Sequence, residues 1–277
     1  MKLQEKLLLN KKEGKALLAT NFYNYETLTA VLTAAKETDS SLIVQLSESS
    51  IHYLGLDMAY KMARAGLAKH EVEGWIHLDH GQNTDLVKAC IDIGFDSVMI
   101  DASEKPITEN VEITKSIVNY AAAKDINVEA ELGYIAKLDQ QQKMVYTQPD
   151  EAKSFVDQTG VNALAIAVGS AHGFYKTTPN LQIDLIGEIN AVTNAALVLH
   201  GSSGIPADQI QAAVRQGITK INLATEIKNA FMLKLKAHMN ATDEIDLRKV
   251  FPVATEAAKN LVKEKINVIN DASLIKL

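Results

Sequence analysis

The sequence repeats one alternation along nearly its whole length: a short apolar run rich in β-branched or small side chains, then a longer stretch whose apolar residues recur at helical spacing. The runs are Ala16–Phe22, Ser41–Ser47, Gly74–His80, Ser97–Ala102, Asn127–Leu132, Ala163–Val168, Ala195–His200 and Lys220–Ala224. Between them lie helical patterns at Tyr25–Thr38, Asp57–Ala68, Thr84–Ile93, Ile107–Lys124, Pro149–Thr159, Leu181–Val192, Pro206–Gln216 and Glu226–Met239. Parallel strands need a crossover between them, and a helix supplies it. Eight such units in about 240 residues predict an α/β fold of the closed (β/α)8 TIM-barrel type rather than an open doubly wound sheet. No G-x-G-x-x-G, the glycine fingerprint of many open sheets, is present.

No Pro/Gly/Ser-rich linker, low-complexity tract or block of like charge divides the 277 residues, so residues 1–277 are expected to form a single barrel domain. The tail from Asp243 predicts two additional C-terminal helices, Leu247–Phe251 and Thr255–Val268, packed outside the barrel or against a partner subunit. Met1–Asn10 mixes charge into a short apolar run with no small-residue cleavage site, which predicts a helix and not a signal peptide. There is no apolar run of the roughly 18 residues a membrane helix needs. A net charge of −6 opposes a general nucleic-acid surface, which wants a basic face. Cys90 is the one cysteine, so no intrachain disulfide can form; a reducing, cytoplasmic setting is expected.

In a closed barrel the functional residues stand at the C-terminal ends of the strands. Polar residues gather there in this sequence: Asn21, Ser47, Asp79 with His80, Asp101, Glu129 with Glu131, His172, His200, and Asn222 with Thr225. Three strands deliver a histidine followed at once by glycine, at His80-Gly81, His172-Gly173 and His200-Gly201. Three neutral imidazoles from separate strands suit a metal site with open positions, and zinc is the first choice. His77 lies inside its strand and is expected to be a hydrogen-bonded core residue, while His52, His70 and His238 fall in helical or loop contexts and are expected to be solvated. Strict alternation would send Asp79 and His80 to opposite faces, so both serve one site only if regular pairing ends there, with Gly81 expected to make the turn. Asp79, at the strand mouth beside a metal ligand, suits proton transfer.

After the seventh strand, Gly201-Ser202-Ser203-Gly204 leads toward the helix begun by Pro206; after the eighth, Asn222-Leu223-Ala224-Thr225 leads into another helix. Barrels bind phosphate at these two loops through backbone N–H groups and hydroxyls near helix N-termini. A metal beside a phosphate site fits a phosphorylated hydroxyketone, whose carbonyl the cation would polarise as a C–C bond breaks or a proton leaves. The expected class is an aldolase or isomerase. A Schiff-base aldolase would need a lysine inside the barrel; the sixth strand carries none, and Lys220 is expected to begin its strand at the end away from the site.

With these motifs the sequence resembles the class II, metal-dependent ketose-bisphosphate aldolases of the fructose- and tagatose-bisphosphate type. The resemblance runs through His77-Leu-Asp-His80, Met99-Ile-Asp-Ala-Ser103, Val128-Glu-Ala-Glu-Leu-Gly133, Ala171-His-Gly173, Leu199-His-Gly-Ser-Ser-Gly204 and Lys220-Ile-Asn-Leu-Ala-Thr-Glu226. It implies a catalytic zinc on His80, His172 and His200, with Asp101 and Glu131 near enough to hold the metal in an alternative position. It implies that Asp79 exchanges the proton of the C4 oxygen. Gly173, Gly201, Ser202, Ser203, Asn222, Leu223, Ala224 and Thr225 match the dihydroxyacetone-phosphate segments, and Asn21 and Ser47 match supporting positions. A monovalent cation, Na+ or K+, near the phosphate and a homodimer or higher homo-oligomer are further implications.

Two departures from the family pattern stand out. The family's Gly-Gly turn and acidic pair after the fifth strand are replaced by Tyr134-Ile-Ala-Lys-Leu-Asp-Gln-Gln-Gln-Lys143, where Asp139 stands at the spacing of the glutamate that moves the C3 proton. The three arginines, Arg64, Arg215 and Arg248, fall on no motif for the far phosphate, which leaves Arg248, a lysine or a neighbouring subunit to hold it. Ala224 stands where many fructose-bisphosphate enzymes have an acid, and the run around it is more like the tagatose branch. Two alternatives stay open beside the bisphosphate reading: a related class II aldolase for another phosphorylated ketose, and a non-catalytic sugar-phosphate-binding barrel.

Overall fold

A computed structural model of the chain describes residues 1–133, 145–175 and 178–272. The chain opens with α1 (Leu3–Glu13) and then enters the repeat as β1 (Leu17–Asn21), α2 (Tyr25–Glu37), β2 (Leu42–Ser47), α3 (Glu48–Leu54), α4 (Leu56–His70) and β3 (Gly74–Gly81). It continues through α5 (Thr84–Ile93), β4 (Ser97–Ile100), α6 (Ile107–Ala122), β5 (Asn127–Leu132), α7 (Pro149–Thr159) and β6 (Ala163–Ile166). The last units are α8 (Ile183–Val192), β7 (Ala196–Leu199), α9 (Ala207–Arg215), β8 (Ile218–Leu223), α10 (Thr225–Met239) and α11 (Leu247–Asp271). The strands close into a barrel in the order β1 to β8. All neighbours are parallel, and β1 meets β8 with Leu17 opposite Lys220 and Ala19 opposite Asn222. This is the (β/α)8 barrel that the alternation predicts.

Alternation along each strand divides the core in two. Val44, Ile76, Leu78, Val98, Ile100 and Val128 point outward into the layer shared with the helices. Leu17, Ile43, Trp75 and Met99 point inward and pack with Leu3 and Leu7 of α1, which therefore closes the N-terminal end of the barrel. Burying each of those two leucines is worth about 1.5–3 kcal/mol. The Trp75 indole N–H donates to the Met1 carbonyl at 3.1 Å and ties the plug to β3. With the bottom shut, the open end is the C-terminal one, where the polar residues stand.

Two expectations are corrected, and one element is added. The tail is one helix, α11, and not two, because its buried stripe Val250, Ala254, Ala258, Val262, Ile266 and Ile269 runs in phase straight through Pro252. Packing of that stripe outweighs the hydrogen bond that proline forfeits. Lys220 does not begin its strand: β8 starts at Ile218, and the lysine is enclosed in the barrel at 1% exposure. The segment after Ser47 is a further helix, α3, whose N-cap is Ser47 itself, with its hydroxyl accepting from the Ser50 N–H at 3.3 Å.

Candidate active site

The site grows from an irregularity in β3. Pairing with β4 slips between Leu78 and Gly81, so one extra residue is accommodated there. His80 absorbs the slip in the left-handed region, φ +50°, a conformation that costs a non-glycine residue of order 1–3 kcal/mol. The turn expected of Gly81 is thus made one residue earlier. Gly81 is needed for a different reason: a Cβ there would lie 2.6 Å from the Met99 carbonyl oxygen. The slip lets Asp79 and His80, adjacent in sequence, face the same cleft.

His80, His172 and His200 converge. His200 Nδ1 lies 2.9 Å from His80 Nε2, and His172 Nε2 lies 3.3 Å from the same atom. The outer nitrogens of two rings are occupied: His80 Nδ1 is 2.7 Å from Asp101 Oδ2, and His200 Nε2 is 2.8 Å from Glu129 Oε1. A carboxylate only accepts, so each of those outer nitrogens carries a ring proton and leaves its inner nitrogen facing the centre of the cluster. Nitrogens facing at such distances need a shared proton or a metal ion between them. Burial by itself would depress His80, but the Asp79, Asp101 and Glu131 carboxylates outweigh it and push the imidazole up to about 10. His200 goes the other way, well below the ordinary range, through burial and then the positive charge on His80. The cluster as a whole holds one positive charge at its centre, and the three ring nitrogens could pass that place to a metal ion. His80, Asp101 and Glu131 form a second, overlapping group with metal-ligand spacing.

Asp79 is buried beside this cluster, with Oδ1 4.0 Å from His80 Nε2. The Asn21 amide donates to Oδ2 at 3.0 Å and the Asn222 amide donates to Oδ1 at 3.1 Å. Gln45 in turn donates to Asn21 Oδ1 at 3.2 Å, which orients that amide so that its N–H bonds face Asp79. Burial raises the Asp79 carboxyl, but the charges of His80, His200 and Lys220 and the bond from Asn21 more than offset it, and the group is held below the usual carboxylate range. It is an ionised acceptor fixed in place.

The cleft in front of these residues, about 60 Å³, is lined by Asn21, Asp79, His80, His172, Gly173, His200, Gly201, Ser203, Asn222, Ala224 and Thr225. Larger cavities lie beneath α1 and between β1, β8 and α11, at about 350 and 320 Å³, but neither brings the histidines together. Gly201 holds φ +66° where a Cβ would come within 2.4 Å of the Ala171 carbonyl oxygen. Tyr175 locks the same two loops, its hydroxyl accepting from Ala171 N–H at 2.6 Å and donating to Gly201 O at 2.8 Å. Gly201→Ala must therefore separate the His172 and His200 loops. A fall in kcat/KM of about 100-fold is expected, the scale of a misplacement near 1 Å, and steady-state kinetics on the folded variant check it.

Most of the residues singled out in the sequence meet here. Ser202 and Ser203 brace the loop, Ser202 by donating to the Asn222 carbonyl at 2.6 Å and Ser203 by accepting from the Glu226 N–H at 3.2 Å. Leu223 turns its side chain into the outer core and does not line the cleft. Ser47 is paired in register with Asp79 but spends its hydroxyl on the α3 cap and does not line the cleft. Arg248 is an exposed residue paired with Asp246 at 2.9 Å, away from the cleft lining. His77 is a fully buried, hydrogen-bonded core residue as its strand position predicts, His52 is exposed, and His70 and His238 are half-buried. Asp139 lies outside the described residues. Sequence reasoning gave no role to Glu129 or Lys220; the signal available was the period of two, which puts Glu129 on the face of Glu131 and Lys220 on the face of Asn222.

A closed (β/α)8 barrel carrying a three-histidine, metal-type cluster among acids at its C-terminal mouth defines a class, the barrel enzymes that can work on a substrate through a bound cation. Residues 1–273 match the family model "Fructose-bisphosphate aldolase class-II", and the chain belongs to that family, whose members are metal-dependent carbon–carbon lyases that bind phosphorylated sugars. Among solved structures, the chain is similar to the YdjI aldolase from Escherichia coli K12, with 28% identity over 100% of this chain and 99% of that one and a TM-score of 0.86. It is also similar to a putative fructose-1,6-bisphosphate aldolase from Coccidioides immitis, at 26% identity over 99% of both chains with a TM-score of 0.88. The fold recurs in the fructose-bisphosphate aldolase of Campylobacter jejuni, at 22% identity over 97% and 94% of the two chains with a TM-score of 0.78. Among the described residues no helix is long and apolar enough to cross a membrane.

Proposed function

We propose that this class II aldolase cleaves a ketose 1,6-bisphosphate of the fructose or tagatose type, reversibly, to dihydroxyacetone phosphate and glyceraldehyde 3-phosphate. The observation that carries the reading is the convergence of His80 Nε2, His172 Nε2 and His200 Nδ1 next to the oriented Asp79 carboxylate. These three nitrogens would hold zinc, which when bound supplies Lewis-acid polarisation of the ketose carbonyl. Asp79, ionised and held by two amides, takes the proton of the C4 hydroxyl in the cleavage direction. Gly173, Gly201, Ser203 and the Asn222–Thr225 segment receive the phosphate in front of the N-terminus of α10, whose dipole favours an anion. The C3 proton falls to Asp139 on the spacing of its loop.

A related aldolase with another phosphorylated ketose is the second reading, and it is favoured by one observation: Arg248, an arginine considered for the far phosphate, is engaged with Asp246 and lies off the cleft lining. Cleavage kinetics on fructose bisphosphate, tagatose bisphosphate and single-phosphate ketoses, each with zinc supplied and after chelation, decide between the two. The bisphosphates are expected to exceed the monophosphates by at least about 10-fold in kcat/KM, the worth of one good charge-assisted contact. Preference for a monophosphate selects the second reading, and full activity in verified metal-free protein overturns both.

A further inference from the structure

Beneath the cleft the barrel interior is polar where such barrels commonly stack branched apolar side chains. Lys220 of β8 reaches across to β5, and its ammonium lies 2.7 Å from Glu129 Oε2 and 3.1 Å from His77 Nε2. Both members of the ion pair are 1% exposed. The intervening strands make room for this reach with Ala163, Ala165 and Ala196 on their inner faces. His77, kept neutral by burial and by the Lys220 charge, accepts from the ammonium at Nε2 and so donates from Nδ1 to the Ser97 hydroxyl at 2.8 Å. Asn127 donates to the same hydroxyl at 2.9 Å and completes the chain of partners.

A buried ion pair is poor value for stability, because desolvating two charges offsets most of their attraction and well-packed apolar residues often do as well or better. A covalent role for the lysine does not account for it either. Lys220 is absent from the cleft lining, and its ammonium is engaged by Glu129 and His77. What the pair does have is a connection upward. Glu129 uses one oxygen for Lys220 and the other, Oε1, for His200 Nε2 at 2.8 Å, and on the far side of that ring Nδ1 faces His80 Nε2.

We propose that Lys220 is a positioning residue for His200: by anchoring Glu129 Oε2 it holds Oε1 against His200 Nε2, which fixes the proton on that nitrogen and keeps Nδ1 turned to the shared cation position. This rests on the reading of His80, His172 and His200 as a metal site. Without Lys220 the carboxylate loses the partner that sets its plane, and the imidazole above it loses the partner that sets its tautomer. Orienting partners of this kind change metal affinity by about 10- to 100-fold when removed.

The test uses the whole chain as wild type, Lys220→Met and Glu129→Gln, with zinc affinity read by competition against a chromophoric chelator and ligand geometry read from the visible spectrum of the cobalt-loaded protein. Expected is one ion per wild-type chain, zinc bound about 10- to 100-fold more weakly by both variants, and a cobalt spectrum altered in each. A variant that melts earlier yet binds zinc as tightly as wild type with an unchanged cobalt spectrum assigns the pair to stability alone and overturns the inference. Should Lys220→Met fail to fold, Glu129→Gln, which preserves volume, decides by the same two readouts. Wild-type protein that binds no stoichiometric zinc or cobalt instead overturns the metal-site reading itself, an outcome distinct from wild-type binding left unmoved by the variants.

Discussion

Asp79→Ala is expected to bind zinc as wild type does and to lose about 100- to 10,000-fold in turnover, the range that a positioned proton-transfer group contributes. The carboxylate stands beside the three ring nitrogens without belonging to them: Oδ1 is 4.0 Å from His80 Nε2, whereas those nitrogens lie 2.9 and 3.3 Å apart. Its hydrogen bonds come from Asn21 and Asn222, and two amide donors on a buried carboxylate serve to hold an acceptor ready for a proton. Truncation leaves the histidines and their partners Asp101 and Glu129 in place, so metal content stays while proton transfer goes. Bound zinc per chain and steady-state cleavage rate, measured on one preparation, check both halves. Wild-type turnover rejects the proton-transfer role, and loss of zinc moves Asp79 into the ligand set.

The barrel was legible because its signal is a repeat: each strand need only be apolar and each crossover helical, and errors of a residue or two at the ends do not disturb the count. The histidines and Asp79 were legible because barrel geometry sends polar strand ends to one mouth. What sequence reasoning missed depends on such one- or two-residue shifts. Placing the start of β8 at Lys220 instead of Ile218 puts the lysine at the barrel floor, when it lies beneath the site. The backbone turn falls on His80, within the register slip against β4, and not on the glycine beside it, where a Cβ would meet the Met99 carbonyl; propensity carries no information about a neighbour on another strand. Pro252 reads as a helix break in isolation, yet the apolar stripe of α11 continues through it against α2 and α10.

His172→Ala is expected to remove stoichiometric zinc binding and with it essentially all cleavage, a loss of more than about 1,000-fold that exceeds any single hydrogen-bond partner's share. Among the three histidines it gives the cleanest deletion. His200 is fully buried and carries Glu129 on its outer nitrogen, so its removal also strips the Glu129–Lys220 pair of a partner and confuses lost metal with a damaged core. His80 holds the left-handed turn of β3, and a change there alters the path of Asp79 as well. His172 is only half-buried and sits on the loop between Ala171 and Gly173, which the Tyr175 hydroxyl braces through Ala171 N–H and Gly201 O. The melting temperature of the metal-free variant should therefore match that of metal-free wild type, while the stabilisation that zinc adds to the wild type is absent from the variant. Two remaining nitrogens, His80 Nε2 and His200 Nδ1, retain at most a weak bidentate site. A His172→Ala protein that keeps one tightly held zinc per chain and wild-type turnover would show that the cation belongs to the His80, Asp101 and Glu131 group alone.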